Sequence, residues 1–256
     1  MIRYIINLDQ SVDRWNRVSK IFENLNLEVQ RISAVDGRKK SAEELKSMRP
    51  PFEERHFWLK EMTPGEIGCY LSHVKAWKSL LETEEEWALI MEDDLTMREN
   101  ALEFISDDSW IPDGVGLIQV TAREPSGEDI CERKTLPITG KSAQLVNVIH
   151  WNYMGTLAYM INRETARKCL EISHKIIGPI DDILFLYPSP ARKFSIAWGL
   201  APAAFFSNDE IESTVGLDKK NNKTPVLKNP MAYFERKGTM FKHKIHCCAK
   251  GVKVVR

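Results

Sequence analysis

Two spacings of apolar residues organise this chain. From Val12 to Leu25 they recur at helical intervals (Val12, Trp15, Val18, Ile21, Phe22, Leu25), which predicts an amphipathic helix. The short apolar runs before and after it, Arg3 to Leu8 and Leu27 to Ala34, predict strands, and Val35-Asp36-Gly37 closes the second with a turn signal. Ser41 to Pro64 reads as polar and irregular, apart from a short helix near 42–48. Thr63-Pro64-Gly65-Glu66 then fits a capping box with proline at the first helical position. Ile67, Leu71, Val74 and Leu81 line one face of the helix that follows, and Tyr70, Trp77 and Leu80 widen it. Trp87 to Met91 is apolar without alternation, the mark of a strand buried on both faces. Val115 to Val120, Leu145 to His150, Leu157 to Ile161 and Ser195 to Leu200 are further strands. Between them, 121–144 reads as a long loop or small hairpin, 163–174 as a helix capped by Asn162, and 180–186 as a short helix. Strands alternating with helices predict an α/β fold, with a mostly parallel central sheet flanked by helices.

Composition narrows the class. The 256 residues are 43% hydrophobic and 28% charged, an ordinary globular balance. The net charge of zero hides an asymmetry. From Arg236 onward there are seven basic residues and no acidic ones. The first 235 residues therefore hold 29 basic and 36 acidic groups, a net −7. A core domain over 1–215 followed by a basic extension over 216–256 is the expected division. Such a tail suits an anionic membrane surface, and the acidic body argues against nucleic acid. No signal peptide or apolar stretch of about 18 residues is seen. Five cysteines without regular spacing read as reduced thiols. A cytoplasmic protein, peripheral on the inner face of the membrane, is expected.

The candidate chemistry is acidic. Glu92-Asp93-Asp94 follows the fully apolar strand, at the carboxyl end where open α/β sheets bind ligands. Adjacent carboxylates raise one another's pKa, and a divalent cation with oxygen preference, Mn²⁺ or Mg²⁺, relieves the repulsion. A solvated acidic turn is the plainer reading. Asp181-Asp182 opens a short helix and serves either as a cap or as a general base. Asp36 suits a ribose or base contact as well as a turn, and Arg14 suits a phosphate contact as well as a surface position. His243-x-x-His246-Cys247-Cys248 invites zinc, but four ligands are not spelled out. No P-loop, GxGxxG, GxSxG or HExxH occurs.

Together these segments resemble the family 25 glycosyltransferases, which build bacterial lipooligosaccharide and related glycans. The resemblance runs from about residue 3 to 215. It rests on Tyr4-Ile5-Ile6-Asn7-Leu8-Asp9 with Arg14, on Ala34-Val35-Asp36-Gly37, and on Gly65-Glu66-Ile67-Gly68-Cys69-Tyr70-Leu71-Ser72-His73 with Trp77. It continues through Ile90-Met91-Glu92-Asp93-Asp94, Gly155-Thr156-Leu157-Ala158-Tyr159 and Pro179-Ile180-Asp181. The resemblance implies a GT-A-like, Rossmann-like domain, a UDP-sugar donor (often UDP-galactose), a lipid-linked saccharide acceptor and inverting transfer. It puts Asn7, Leu8, Arg14 and Asp36 near the nucleotide and Ser72 and His73 at the donor site. It makes Glu92, Asp93 and Asp94 the metal and ribose cluster, with Asp94 and Glu92 the metal ligands. Asp181 is the base, with Asp182 in reserve. Two other readings fit the same carboxylates: a metal-dependent nucleotidyltransferase, and a non-catalytic glycan- or membrane-binding module.

Overall fold

The computed structural model describes residues 1–51, 62–122, 130–149, 155–185, 190–208 and 254–255. The chain opens with β1 (Ile2–Asn7), α1 (Val12–Glu23) and β2 (Gln30–Ser33). α2 (Ala42–Ser47) follows, capped by Ser41, whose side chain takes the Glu44 backbone N–H while Glu44 reaches back. α3 (Pro64–Leu81) starts with the same device, built from Thr63 and Glu66. It satisfies two of the N–H groups that a helix start leaves without partners.

β3 (Trp87–Glu92), β4 (Leu95–Met97), α4 (Leu102–Ile105), β5 (Leu117–Gln119) and β6 (Thr121–Ala122) come next. The stretch expected as a loop or small hairpin is a hairpin in its later part. There β7 (Ile130–Pro137) pairs antiparallel with β8 (Gln144–Ile149). β9 (Ala158–Asn162), α5 (Arg163–Glu171), α6 (Ile180–Leu184), β10 (Ala197–Ala201), β11 (Phe205–Ser207) and β12 (Val254–Val255) complete the order. Asn162 caps α5 through the Thr165 backbone N–H, as its position predicts.

The main sheet has nine strands in the order β12-β7-β8-β10-β5-β9-β3-β1-β2. β1, β2, β3, β5, β7 and β10 run one way, so most strands share a direction and the expected α/β class is what the chain adopts. The neighbours are mixed, however. β9 lies antiparallel between β3 and β5, and β8 lies antiparallel between β7 and β10. Apolar runs buried on both faces carry no signal of direction, so the sequence pattern could not show this. A second sheet, β4-β11-β6, has strands of two or three residues, too short for any period to register.

The pleat sends alternate side chains to two cores. Ala88 and Ile90 of β3, Tyr4 and Ile6 of β1, and Tyr159 and Ile161 of β9 meet α3, α5 and α6 on one face. Trp87, Leu89 and Met91, Ile5, and Ala158 and Met160 meet α1 and α4 on the other. The sheet is thus covered on both sides, and its open ends are left for a ligand. Among the described residues, no helix is long and apolar enough to cross a membrane. The basic tail lies outside the described residues except for β12, which pairs with β7 at the sheet edge. His243, His246, Cys247 and Cys248, the residues of the zinc reading, also lie outside them.

Candidate functional site

β1, β2 and β3 are parallel neighbours, so their carboxyl ends fall together. Ile6 is level with Glu92, and Asn7 with Ser33. A cleft opens at this edge. Its walls come from Leu8 after β1, Arg14 of α1, Ala34 to Arg38 after β2, the first half of α3, and Glu92 to Asp94. Gly65, Cys69, Ser72 and His73 all line it from α3, because steps of three and four keep residues on one helical face. That wall is tight. A Cβ on Gly68 would lie 2.4 Å from the Val35 carbonyl oxygen, and one on Gly37 only 1.8 Å from that of Pro64. Ser72 pins the contact: its hydroxyl accepts from the Val35 N–H at 2.8 Å and donates to the Gly68 carbonyl at 2.7 Å.

The three carboxylates of the triplet differ sharply. Glu92 accepts from the Thr156 hydroxyl at 2.7 Å and faces His73 Nε2 at 3.6 Å. Burial works to raise its pKa, but His73, Thr156 and Arg14 outweigh burial and hold it below the usual range. Asp93 accepts from Asn7 Nδ2 at 2.5 Å and pairs with Arg14, while its own carbonyl accepts from Arg17 at 2.8 Å. Burial nonetheless lifts its carboxyl. Asp94 is lifted furthest, to about 7, first by burial and then by Glu92, against the pull of Arg14. Arg14 reaches Asp94 at 3.5 Å on one oxygen. The other, Oδ1, is buried and has no hydrogen-bond partner among the described residues.

An orphaned buried carboxylate oxygen beside two more carboxylates is the arrangement a hard divalent cation satisfies. The oxygen donors of Glu92 and Asp94 therefore fit Mn²⁺ or Mg²⁺. Among the described residues, Arg14 is the cation on Asp94, and it meets Oδ2 rather than Oδ1.

The residues expected at the site divide three ways. Leu8, Arg14, Asp36, Ser72, His73, Glu92, Asp93 and Asp94 all line the cleft. Asp36 also heads a 3₁₀ turn, where hydrogen bonds from the Arg38 guanidinium lead the causes that lower its pKa. Asn7 stands behind the wall: it is 1% exposed and holds Asp93, with Arg31 donating to its Oδ1 at 2.5 Å. Asp181 and Asp182 stand outside the lining but near it. The charge of Asp181 is felt at Cys69, which lines the cleft. Neither Asp is the helix cap, because Pro179 holds that position and the two fall in the first turn of α6. Asp182 is only 2% exposed, which leaves Asp181 as the half-buried one of the pair.

Other residues at the site carry no motif of their own chemistry. Cys69, Thr156 and Tyr159 are the main ones. Tyr159 OH accepts from Trp77 Nε1 at 2.9 Å and sits 3.0 Å from His73 Nδ1. Thr156 and Tyr159 approach because β9 runs beside β3, a pairing that only the fold reveals.

Open α/β sheets bind ligands in the crevice at the carboxyl ends of their strands, which is where this carboxylate cluster stands. The family described as glycosyltransferase family 25 (LPS biosynthesis protein) matches residues 1–184, and the chain belongs to it. A glycosyltransferase 25 family member of Aedes aegypti is 27% identical over 79% of this chain and 35% of its own length. Procollagen galactosyltransferase 2 of Homo sapiens is 27% identical over 71% of this chain and 29% of its own. The lacto-N-neotetraose biosynthesis glycosyltransferase LgtE of Neisseria meningitidis is 27% identical over 54% of each. The chain thus spans about a third of the length of the insect and human relatives.

Proposed function

We propose that this chain is an inverting glycosyltransferase that moves a sugar, galactose first among candidates, from a UDP-sugar to a saccharide acceptor of a lipooligosaccharide or related glycan. The observation that carries the reading is Asp94, a partly buried carboxylate lifted to about 7, whose buried Oδ1 has no hydrogen-bond partner among the described residues. Family membership and the galactosyltransferase and neotetraose names of two relatives support the donor and acceptor class.

Glu92 and Asp94 would hold Mn²⁺ or Mg²⁺, which neutralises charge on a leaving diphosphate. Arg14, already between Asp93 and Asp94, adds a second positive group on the phosphate side. Asp36 and Leu8 form the wall nearest β2 and suit the nucleoside. Asp93 anchors the loop, since Asn7 and Arg17 tie it to β1 and α1. Asp181 takes the proton of the acceptor hydroxyl as that oxygen attacks the anomeric carbon from the face opposite UDP. The anomeric C–O bond to the diphosphate breaks in the same step, and no covalent intermediate is needed. Asp182, almost fully buried, suits a supporting role. The basic residues beyond Arg236 bring the enzyme to an anionic membrane surface, where a lipid-linked acceptor sits.

The test is a panel of UDP-sugars, read by Mn²⁺-dependent thermal stabilisation and by UDP release with a lactose-type acceptor. The expected result is stabilisation by one UDP-sugar that disappears with EDTA. Pyrophosphate release from a nucleoside triphosphate, or sugar binding indifferent to metal, would overturn the assignment.

A further inference from the structure

The cleft holds a second set of donors that the transfer mechanism does not use as a set. Cys69 Sγ, a ring nitrogen of His73 and a Glu92 carboxylate oxygen lie within 4.8 Å of one another. We propose that Cys69, His73 and Glu92 form a binding site for zinc or a similarly soft divalent metal. It shares Glu92 with the hard carboxylate pair but differs from that pair in chemistry.

Three observations support it. First, His73 is 0% exposed, and its buried Nε2 has no hydrogen-bond partner among the described residues but faces Glu92 Oε1 3.6 Å away. The Glu92 carboxylate is the group it faces, so the two side chains present a nitrogen and an oxygen donor to one point. Second, the spacing suits a small tetrahedral ion. Bonds of about 2.0 Å to nitrogen and oxygen and about 2.3 Å to sulfur set neighbouring ligands roughly 3.3–3.5 Å apart. The His73–Glu92 separation of 3.6 Å is about 0.3 Å wider than the lower of these, and the Cys69 thiol lies within 4.8 Å of both. Third, an outer shell is in place. Thr156 donates to Glu92 Oε1 at 2.7 Å, and Tyr159 OH lies 3.0 Å from His73 Nδ1, itself held by Trp77. Metal-binding histidines and carboxylates are oriented by partners of this kind.

The donor types decide the ion. Sulfur with imidazole favours zinc over Mn²⁺ or Mg²⁺, which prefer oxygen. Cys69 is only partly buried and lines the cleft, the side from which water would supply a fourth ligand. Because Glu92 belongs to both sets, zinc here competes with a hard cation at Glu92–Asp94 for the same carboxylate. Zinc therefore inhibits transfer. The inhibition rests on the function proposed above, whereas the binding does not.

Binding is tested on the full chain carrying Cys247→Ser and Cys248→Ser, which removes the thiols of the tail. Co²⁺ is the probe, because cobalt bonded to a thiolate gives an intense charge-transfer absorption that oxygen ligands do not. The expected result is a one-equivalent band that zinc displaces. Cys69→Ser abolishes the band, and Thr156→Val weakens cobalt binding about 10- to 100-fold, as loss of an outer-shell partner does. A second measurement needs no change in the cleft: alkylation of Cys69, followed by peptide mass spectrometry, slows with Zn²⁺ and not with Mg²⁺. No band, a band unchanged in Cys69→Ser, or equal alkylation in both metals overturns the proposal. None of these readouts depends on turnover, so a failed glycosyltransferase assay leaves them standing.

Discussion

Asp94 sits where a carboxylate is least comfortable, and that discomfort is measurable. Its folded pKa is lifted from the usual aspartate value to about 7, so the folded state binds more protons than the unfolded state between those values. Stability from this group is therefore full below the unfolded pKa and falls as pH rises through the window. Asp94→Asn removes the penalty. In EDTA the variant should melt higher than the parent at pH 8, and the gap should close toward pH 4. Manganese should stabilise the parent and not the variant. A gap independent of pH would show that Asp94 ionises normally. Asp181→Asn should lower turnover by about 10²- to 10⁴-fold, the usual contribution of a general base, with donor affinity nearly unchanged. Full turnover would make Asp181 a helix-start residue only, and a loss confined to donor affinity would move it to the nucleotide wall. These carboxylates were legible in the sequence because an apolar run delivers them at a strand end. Cys69 and Thr156 were not, because a single thiol or hydroxyl has chemistry only through the neighbours that folding supplies.

At the scale of elements, the starts of helices were the clearest signals. Thr63 and Glu66 form the reciprocal cap their spacing predicts, and Asn162 caps α5. Such bonds are local, so three or four residues suffice to specify them. The close approach of α3 to the turn after β2 is not local. Gly37 and Gly68 are about thirty residues apart in sequence, yet neither has room for a methyl group. Gly68→Ala would set a Cβ 2.4 Å from a backbone oxygen, which no side-chain rotation relieves. The helix and the loop must separate, at about 1–3 kcal/mol for overpacking. Since that loop carries Asp36 and the helix carries Ser72 and His73, the same shift should weaken donor binding. Urea unfolding and donor titration of Gly68→Ala should both move. An unchanged unfolding midpoint would mean that the two elements separate without cost.

For the whole molecule, the class of fold followed from alternating strands and helices, but the sheet's inner order did not. β9 enters antiparallel beside β3 and thereby brings Thr156 and Tyr159 to Glu92 and His73. Nothing in four buried apolar residues, Ala158 to Ile161, states their direction. The tail poses a related problem. Seven basic residues follow Glu235, yet Val254 and Val255 add a strand to the sheet through β7. Deleting the tail would therefore do two things, removing charge and baring a sheet edge open to unwanted pairing. Substitution separates them. Lys242, Lys244, Lys250 and Lys253 changed together to Gln remove four charges and leave β12 in place. Each lysine near an anionic surface contributes roughly 1 kcal/mol, within a Debye length of about 8 Å at physiological salt. The parent should co-sediment with phosphatidylserine-rich vesicles and release as salt rises, while the fourfold variant should stay in the supernatant. Transfer to a soluble acceptor should be the same for both, because the cleft lies at the far end of the strand order, beside β1, β2 and β3. Equal sedimentation of parent and variant, or binding indifferent to lipid charge, would take the membrane out of the mechanism and leave the tail as an edge strand with a solvated approach.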